Sequence, residues 1–217
     1  SDLLWPHRWS LYSFDVRISG KRVYTYNFQL SDVTGVSVLC HEMFHSLGAP
    51  DLYRYTDTGF SPVGIWDIMA RNRTPPQHMS AYMKMVYGGW FSSIPEITTA
   101  GSYTLSPLST DPFAAYTIAS PNSSEYFLVE YRKSTGRFES SLPGDGLIIH
   151  RINPSETGNA NGPPDEIYVY RPNGTLTEDG NLSSAYYSSG VGRTEMNDAT
   201  SPSSFLSDGS DGGLNIS

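Results

Sequence analysis

His41, Glu42, His45, Gly48 and Asp51 form the string His-Glu-x-x-His-x-x-Gly-x-x-Asp. On a helix, side chains four residues apart lie one above the other, about 6 Å along the axis. Two imidazoles at that spacing point the same way and can grip one Zn²⁺, while the carboxylate between them can reach a water on the same ion. Gly48 lets the chain turn out of the helix, and the returning loop can bring Asp51 as a third, oxygen ligand. Two neutral histidines and one carboxylate leave the ion with net positive charge, which acidifies a bound water towards neutrality. The candidate site is therefore His41, His45 and Asp51 as metal ligands and Zn²⁺ as cofactor, with Glu42 within reach of a water on the ion. Cys40 directly precedes the string, but a helix neighbour points about 100° away, so a buried, inert thiol is expected there.

The elements that must carry these residues can be read from periodicity. Residues 10–18 alternate through Ser10, Tyr12, Phe14, Val16 and Ile18, and residues 22–30 through Tyr24, Tyr26, Phe28 and Leu30, with Ser19 and Gly20 between them. This predicts a β-hairpin with one apolar face, ending at Ser31 and Asp32, which are good helix starters. A helix over 33–47 follows, with Val36, Leu39, Cys40, Met43 and Leu47 as its apolar stripe and Gly48 as its stop. The loop over 48–76 is too long for an ordinary connection and is suspected of function. It contains Gly64-Ile65-Trp66-Asp67-Ile68-Met69, whose apolar members suit packing. A second helix is expected after Pro75 and Pro76, with Met79, Tyr82, Met83 and Val86 as its buried stripe and Gly88-Gly89 as its end.

Beyond Trp90 the texture changes to short apolar runs at 114–119, 125–132, 146–152 and 166–170, separated by turn residues. The expectation is an α+β chain, with a catalytic region at 1–95 and an antiparallel β-rich region at 96–217. Asn153–Pro164 and Ser201–Gly213 have the composition of mobile loops.

Composition bounds the function. The 217 residues carry a formal charge of -8, so no basic field exists to hold a phosphate backbone, and nucleic acid is an unexpected partner. No run approaches the ~20 apolar residues of a membrane span. One cysteine excludes an internal disulfide. Sparse Lys with abundant Ser, Asn, Gly and Tyr leans towards a secreted or cell-surface protein, its signal peptide lying outside these residues.

The string resembles that of the metzincin clan of zinc peptidases, in which a methionine turn lies beneath the metal. More specifically, His41–Tyr53 (HEMFHSLGAPDLY), the WDIM segment, SAYMKMVYGGW, EYFLVEYR and LPGDGLII resemble the immune inhibitor A family of bacterial secreted metallopeptidases, over roughly residues 5–152. The resemblance implies a metzincin-like fold, zinc held by His41, His45 and Asp51, Glu42 as catalytic base, and a protein or peptide substrate. By the same similarity, Met69 lies buried close to the two imidazoles without touching the ion. The chain departs from the family after LPGDGLII, where His150, Arg151, Ile152 and Asn153 stand in place of Trp, His, Ile and Asp. Only 40 residues precede His41, fewer than such a catalytic domain usually places before its active-site helix, so an N-terminally truncated piece is expected.

Tyr53, Tyr55, His78, Tyr82 and Tyr87 are chemically able to donate a hydrogen bond to a developing oxyanion, and the sequence does not choose among them. Two other readings compete with a working endopeptidase. One is an inactive zinc-binding surface or adhesion module; the intact Glu42 argues against it. The other is a carbohydrate- or calcium-binding β-module, for which Ca²⁺ at Asp208–Gly213 is the weak motif, lacking the alternating carboxylates of an EF-hand.

Overall fold

The computed structural model describes residues 5–31, 35–57 and 59–217. The hairpin over the first residues is built as two separate ladders. Strand β1 (His7–Ser10) pairs antiparallel with β4 (Thr25–Phe28), and β2 (Val16–Ile18) with β3 (Lys21–Val23). Ser19 and Gly20 turn between β2 and β3 with φ of 50° and 77°, as a two-residue hairpin turn requires. Between the ladders, residues 11–15 face only Tyr24, so the alternation predicted across 10–18 is interrupted by a long bulge. The apolar face expected there is not buried: Tyr12, Phe14, Val16, Ile18 and Tyr24 are exposed.

Helix α1 spans Val36–His45, with Gly35 as an N-cap that supplies no side chain. The expected starter Asp32 and first helical residue Val33 lie outside the described residues. The helix ends as predicted, with Gly48 at φ 102° and its N–H donating to the His45 carbonyl. Its rotational phase differs from the prediction. Ser37, His41, Glu42 and Phe44 are buried, whereas Val36, Leu39, Cys40, Met43 and Leu47 are exposed. The inward face carries the candidate site residues His41, Glu42 and His45, and it is the more polar one.

Within the stretch over 48–76, residues 60–69 are packed. A 3₁₀ turn at Gly64–Trp66 leads into Asp67, Ile68 and Met69, all buried. Helix α2 spans Ala81–Val86, starting later than Pro76 suggests, because Ser80 is its cap and accepts from the Met83 N–H at 3.3 Å. Tyr82 and Met83 are buried as expected. Val86 is exposed, and Lys84 is buried in its place.

Strands β5 (Ala115–Ala119), β6 (Tyr126–Arg132), β7 (Gly146–Ile152) and β8 (Ile167–Val169) form one antiparallel meander in that order. These are the four predicted runs, and their period of two divides the sheet into two buried faces. Leu128, Ile148, Ile152, Ile167 and Val169 join Phe44, Leu52, Trp66, Met69 and Met83 in one core cluster. Phe127, Val129, Ile149, Tyr168 and Tyr170 turn the other way onto Met196, Phe205, Leu206 and Leu214. Asn153–Pro164 and Ser201–Gly213, which read as loops, are held by packing: Asn159, Ser204 and Leu206 are buried.

The inner face also carries a buried ionic network. Arg132 donates to Glu139 Oε2 at 2.7 Å, Glu130 Oε1 at 3.0 Å and the Trp66 carbonyl at 2.7 Å. Glu130 Oε2 accepts from the Ala81 N–H, and the Asp67 carboxylate from the N–H groups of Met69 and Ser80. The network thus ties the 64–69 turn and the start of α2 to β6. His150 lies in it, fully buried, with Nε2 3.9 Å from Glu130.

Candidate metal centre

One helical turn of separation brings the His41 and His45 rings to 4.7 Å between centroids, at 89° to each other. Each ring is fixed by a backbone carbonyl. His41 Nδ1 lies 2.9 Å from the Ile68 oxygen and His45 Nδ1 lies 2.7 Å from the Ala49 oxygen. A carbonyl oxygen only accepts, so both Nδ1 atoms carry hydrogen, and in the neutral rings both Nε2 atoms present lone pairs. These nitrogens face each other at 3.1 Å. Asp51 Oδ1 completes a triangle, 3.1 Å from His41 Nε2 and 3.4 Å from His45 Nε2.

Three acceptors converging in this way repel one another unless a cation or a proton sits among them. Bonds of about 2.0–2.1 Å to a tetrahedral ion place neighbouring ligand atoms about 3.3–3.4 Å apart. The triangle is close to one face of such a tetrahedron, leaving the fourth position open. Asp51 Oδ1 is buried with no hydrogen-bond partner, whereas Oδ2 accepts from the Tyr55 hydroxyl at 2.5 Å. The donor set and the orphaned oxygen both fit zinc. Among the described residues, these three side chains are the group of His, Cys, Asp or Glu close enough to share an ion.

The electrostatics agree. Burial alone would raise the Asp51 carboxyl, but the His41 and His45 imidazoles beside Oδ1 and the Tyr55 hydroxyl on Oδ2 hold it well below the usual range. Burial opposes a charge on His45, yet Asp51 and the Ala49 carbonyl outweigh it and raise the imidazole. Both shifts favour positive charge between the ligands.

Glu42 is buried and lines the same cleft, a space of about 840 Å³ walled by Trp5, His7 and Trp9 on one side and Tyr53 and Tyr55 on the other. The five hydroxyl and imidazole candidates separate here. Tyr53 and Tyr55 line the cleft, and burial together with the Asp51 charge keeps both phenols protonated. Tyr82 and Tyr87 donate instead to Glu166 at 2.8 and 2.7 Å, and His78 lies beside Phe138. Cys40 is exposed, contrary to the expectation of a buried thiol, and is not in the ligand group; what burial it has raises its pKa. Met69 is fully buried, and its carbonyl accepts from the Leu52 N–H at 2.9 Å, which sets the turn directly against the ligand loop.

Sequence reasoning does not find the two carbonyls that fix the imidazoles, because any residue supplies a carbonyl. Nor does it find Tyr55 as the partner of Asp51; the spacing of four offers a signal only once the loop is known to curl.

The family model for the immune inhibitor A peptidase M6 catalytic domain matches residues 1–75. The resemblance is to the immune inhibitor A family. The matched region holds α1, the Asp51 loop and the WDIM turn, while the similar segments noted beyond residue 75 lie outside it. No curated protein and no solved structure matches the chain. The immune inhibitor A-like region thus coincides with the part of the fold that assembles the triangle.

Proposed function

We propose that the chain is a zinc-dependent endopeptidase whose ion is held by His41, His45 and Asp51 and whose general base is Glu42. The observation that carries this reading is the triangle of three acceptor atoms, with both imidazoles turned by backbone carbonyls so that Nε2 is free to ligate. The match to a metallopeptidase family over the same residues supports it. Zinc, when bound, supplies a Lewis acid that polarises the scissile carbonyl and acidifies water. Glu42, in the same cleft, takes a proton from the attacking water and hands it to the leaving amine. Tyr55 holds one carboxylate oxygen of Asp51 and so turns the other towards the histidines. Trp5, His7 and Trp9 offer aromatic surface along the cleft for a peptide substrate.

On this reading the catalytic region is 1–95, and the β-rich region 96–217 packs on it, supported by the core cluster that joins Phe44 and Met69 to Leu128 and Ile148. Secretion to the exterior or cell surface goes with the family resemblance. No helix among the described residues is long and apolar enough to cross a membrane. Calcium has no support from the 208–213 loop, where Asp208 caps its own turn through Ser210.

Glu42→Gln tests the assignment, because the amide keeps the shape but cannot take the proton. The variant should retain stoichiometric zinc and lose about a hundredfold or more in casein or peptide hydrolysis. Turnover equal to the parent removes Glu42 from its role. Zinc in both proteins with hydrolysis in neither favours the inactive-module reading instead.

A further inference from the structure

The loop that carries Asp51 is held from two sides. On one side the Leu52 N–H donates to the Met69 carbonyl at 2.9 Å. On the other runs Gly158–Ala160, more than a hundred residues away in sequence and between β7 and β8. The Asn159 N–H donates to the Asp51 carbonyl at 2.8 Å, and the Tyr55 N–H donates to the Ala160 carbonyl at 3.1 Å. The Asn159 side chain, fully buried, donates to the Leu52 carbonyl at 3.1 Å and the Ile167 carbonyl at 2.8 Å, and accepts from the Ile167 N–H at 3.2 Å. One amide therefore pins the ligand loop to β8.

Gly158 makes the approach close. A Cβ built there would lie 2.6 Å from Pro50 Cβ and 2.7 Å from the Asp51 carbonyl oxygen, and its φ of 68° disfavours any side chain. Behind it stands Glu166, nearly fully buried. Its Oε2 accepts from the Gly158 N–H at 2.5 Å, and Oε1 accepts from Tyr82 and Tyr87. The chain of contacts runs from α2 through Glu166 and Gly158–Asn159 to the backbone of Asp51 and of Tyr55. These are the residues that aim the third ligand.

We infer that Gly158, Asn159 and Glu166 are positioning residues for the metal loop, so that the β-rich region sets the zinc affinity of a site whose ligands all lie before residue 52. The inference rests on the zinc reading proposed above. None of the three residues belongs to the ligand triangle. Their effect passes through the placement of Asp51, as outer-shell partners act on a metal site.

The test uses the full chain, with zinc affinity measured by chelator competition well below the melting temperature and the Co²⁺-substituted visible spectrum as a second readout. Asn159→Ala and Gly158→Ala should each weaken zinc by about 10–100-fold and alter the cobalt bands. Glu166→Gln, which retains an acceptor for the tyrosines while opposing the Gly158 N–H with an amide, should give a smaller change of the same kind. Leu214→Ala, in the cluster on the opposite face of the sheet, serves as the control for general destabilisation. It should lower Tm and leave both readouts unchanged. A zinc-binding parent whose folded Asn159 and Glu166 variants stay within about twofold in affinity, with unchanged cobalt spectra, overturns the positioning role alone. So does a Leu214→Ala that loses zinc equally. A folded parent that binds no zinc overturns the zinc reading and this inference with it.

Discussion

The front of the molecule leaves apolar side chains in water, while the sheet buries charged ones. Val36 and Met43 on α1, Leu47 just after it, and Phe14 and Ile18 on the hairpin are each about half exposed or more, whereas Arg132 and Glu130 are fully covered. Hydrophobicity alone sorts neither region. These two buried charges are tolerable because they are partnered: Arg132 engages two carboxylates and two carbonyls, and Glu130 accepts from Arg132 and from the Ala81 N–H. The inward histidines of α1 follow the same logic, with Nδ1 satisfied by carbonyls and Nε2 left for an ion. In these two places polar groups lie inside where specific donors and acceptors meet them, and apolar groups stay outside where nothing covers them.

The contrast predicts its largest effect at the ligands. His41→Ala with His45→Ala should abolish zinc binding, read as metal content after dialysis against a weak chelator, because one carboxylate remains of three ligands. Asp51→Ala alone should weaken binding and keep part of it. Full zinc retention in the double variant sinks the site.

Next in size is the dry ionic network. Arg132→Met removes the guanidinium that bonds both Glu130 and Glu139, each buried, and should destabilise the fold by about 3–5 kcal/mol in chemical denaturation. Glu139→Gln should cost less, since Glu130 still faces the guanidinium. A loss under about 1 kcal/mol for Arg132→Met would mean that the carboxylates are protonated or wet in solution.

A smaller, pH-dependent effect belongs to His78. Burial, followed by the nearby Lys84 charge, pushes its imidazole down to about 4. The unfolded chain takes up this proton near pH ~6.5 and the folded chain only near 4, so stability falls as the pH drops through that window and is unaffected above it. Asp67 acts oppositely, because burial raises its carboxyl to about 6. The difference between parent and His78→Phe, in chelator to remove metal linkage, isolates the histidine. The variant's urea midpoint should decline less between pH 6.5 and 4. Parallel declines would show that His78 is wet.

How much of this can be read in the sequence follows from the kind of signal each element leaves. Strands β5–β8 announce themselves by apolar runs between turn clusters, and the histidine spacing defines α1 and its end at Gly48. The rotational phase of α1 is misread, because an apolar count assigns Val36, Leu39 and Met43 to the core although His41, Glu42 and Phe44 point inward. The continuous hairpin is misread because nothing in the alternation marks the bulge at 11–15. Gly158–Ala160 sits in a stretch of Asn, Gly and Pro whose composition says loop. Its hydrogen bonds to the Asp51 loop depend on chain-distant pairing, which local pattern does not carry.

The smallest expected effect tests the contrast most directly, on two adjacent residues of one helix. Met43 is 54% exposed and Phe44 4%. Gln has nearly the helix propensity of Met, so Met43→Gln changes little except apolar surface that is already in water, and should shift stability by no more than about 0.5 kcal/mol. Phe44 packs in the main core and lies 5.8 Å from the Trp90 ring, so Phe44→Ala should cost about 3–5 kcal/mol. Ile18→Thr on β2 should behave like Met43→Gln, since Thr keeps the branched β-carbon that suits a strand. Denaturation of the three variants side by side decides the matter. A loss above about 1 kcal/mol for Met43→Gln would place the outer face of α1 under cover in solution and erase the distinction between the two faces.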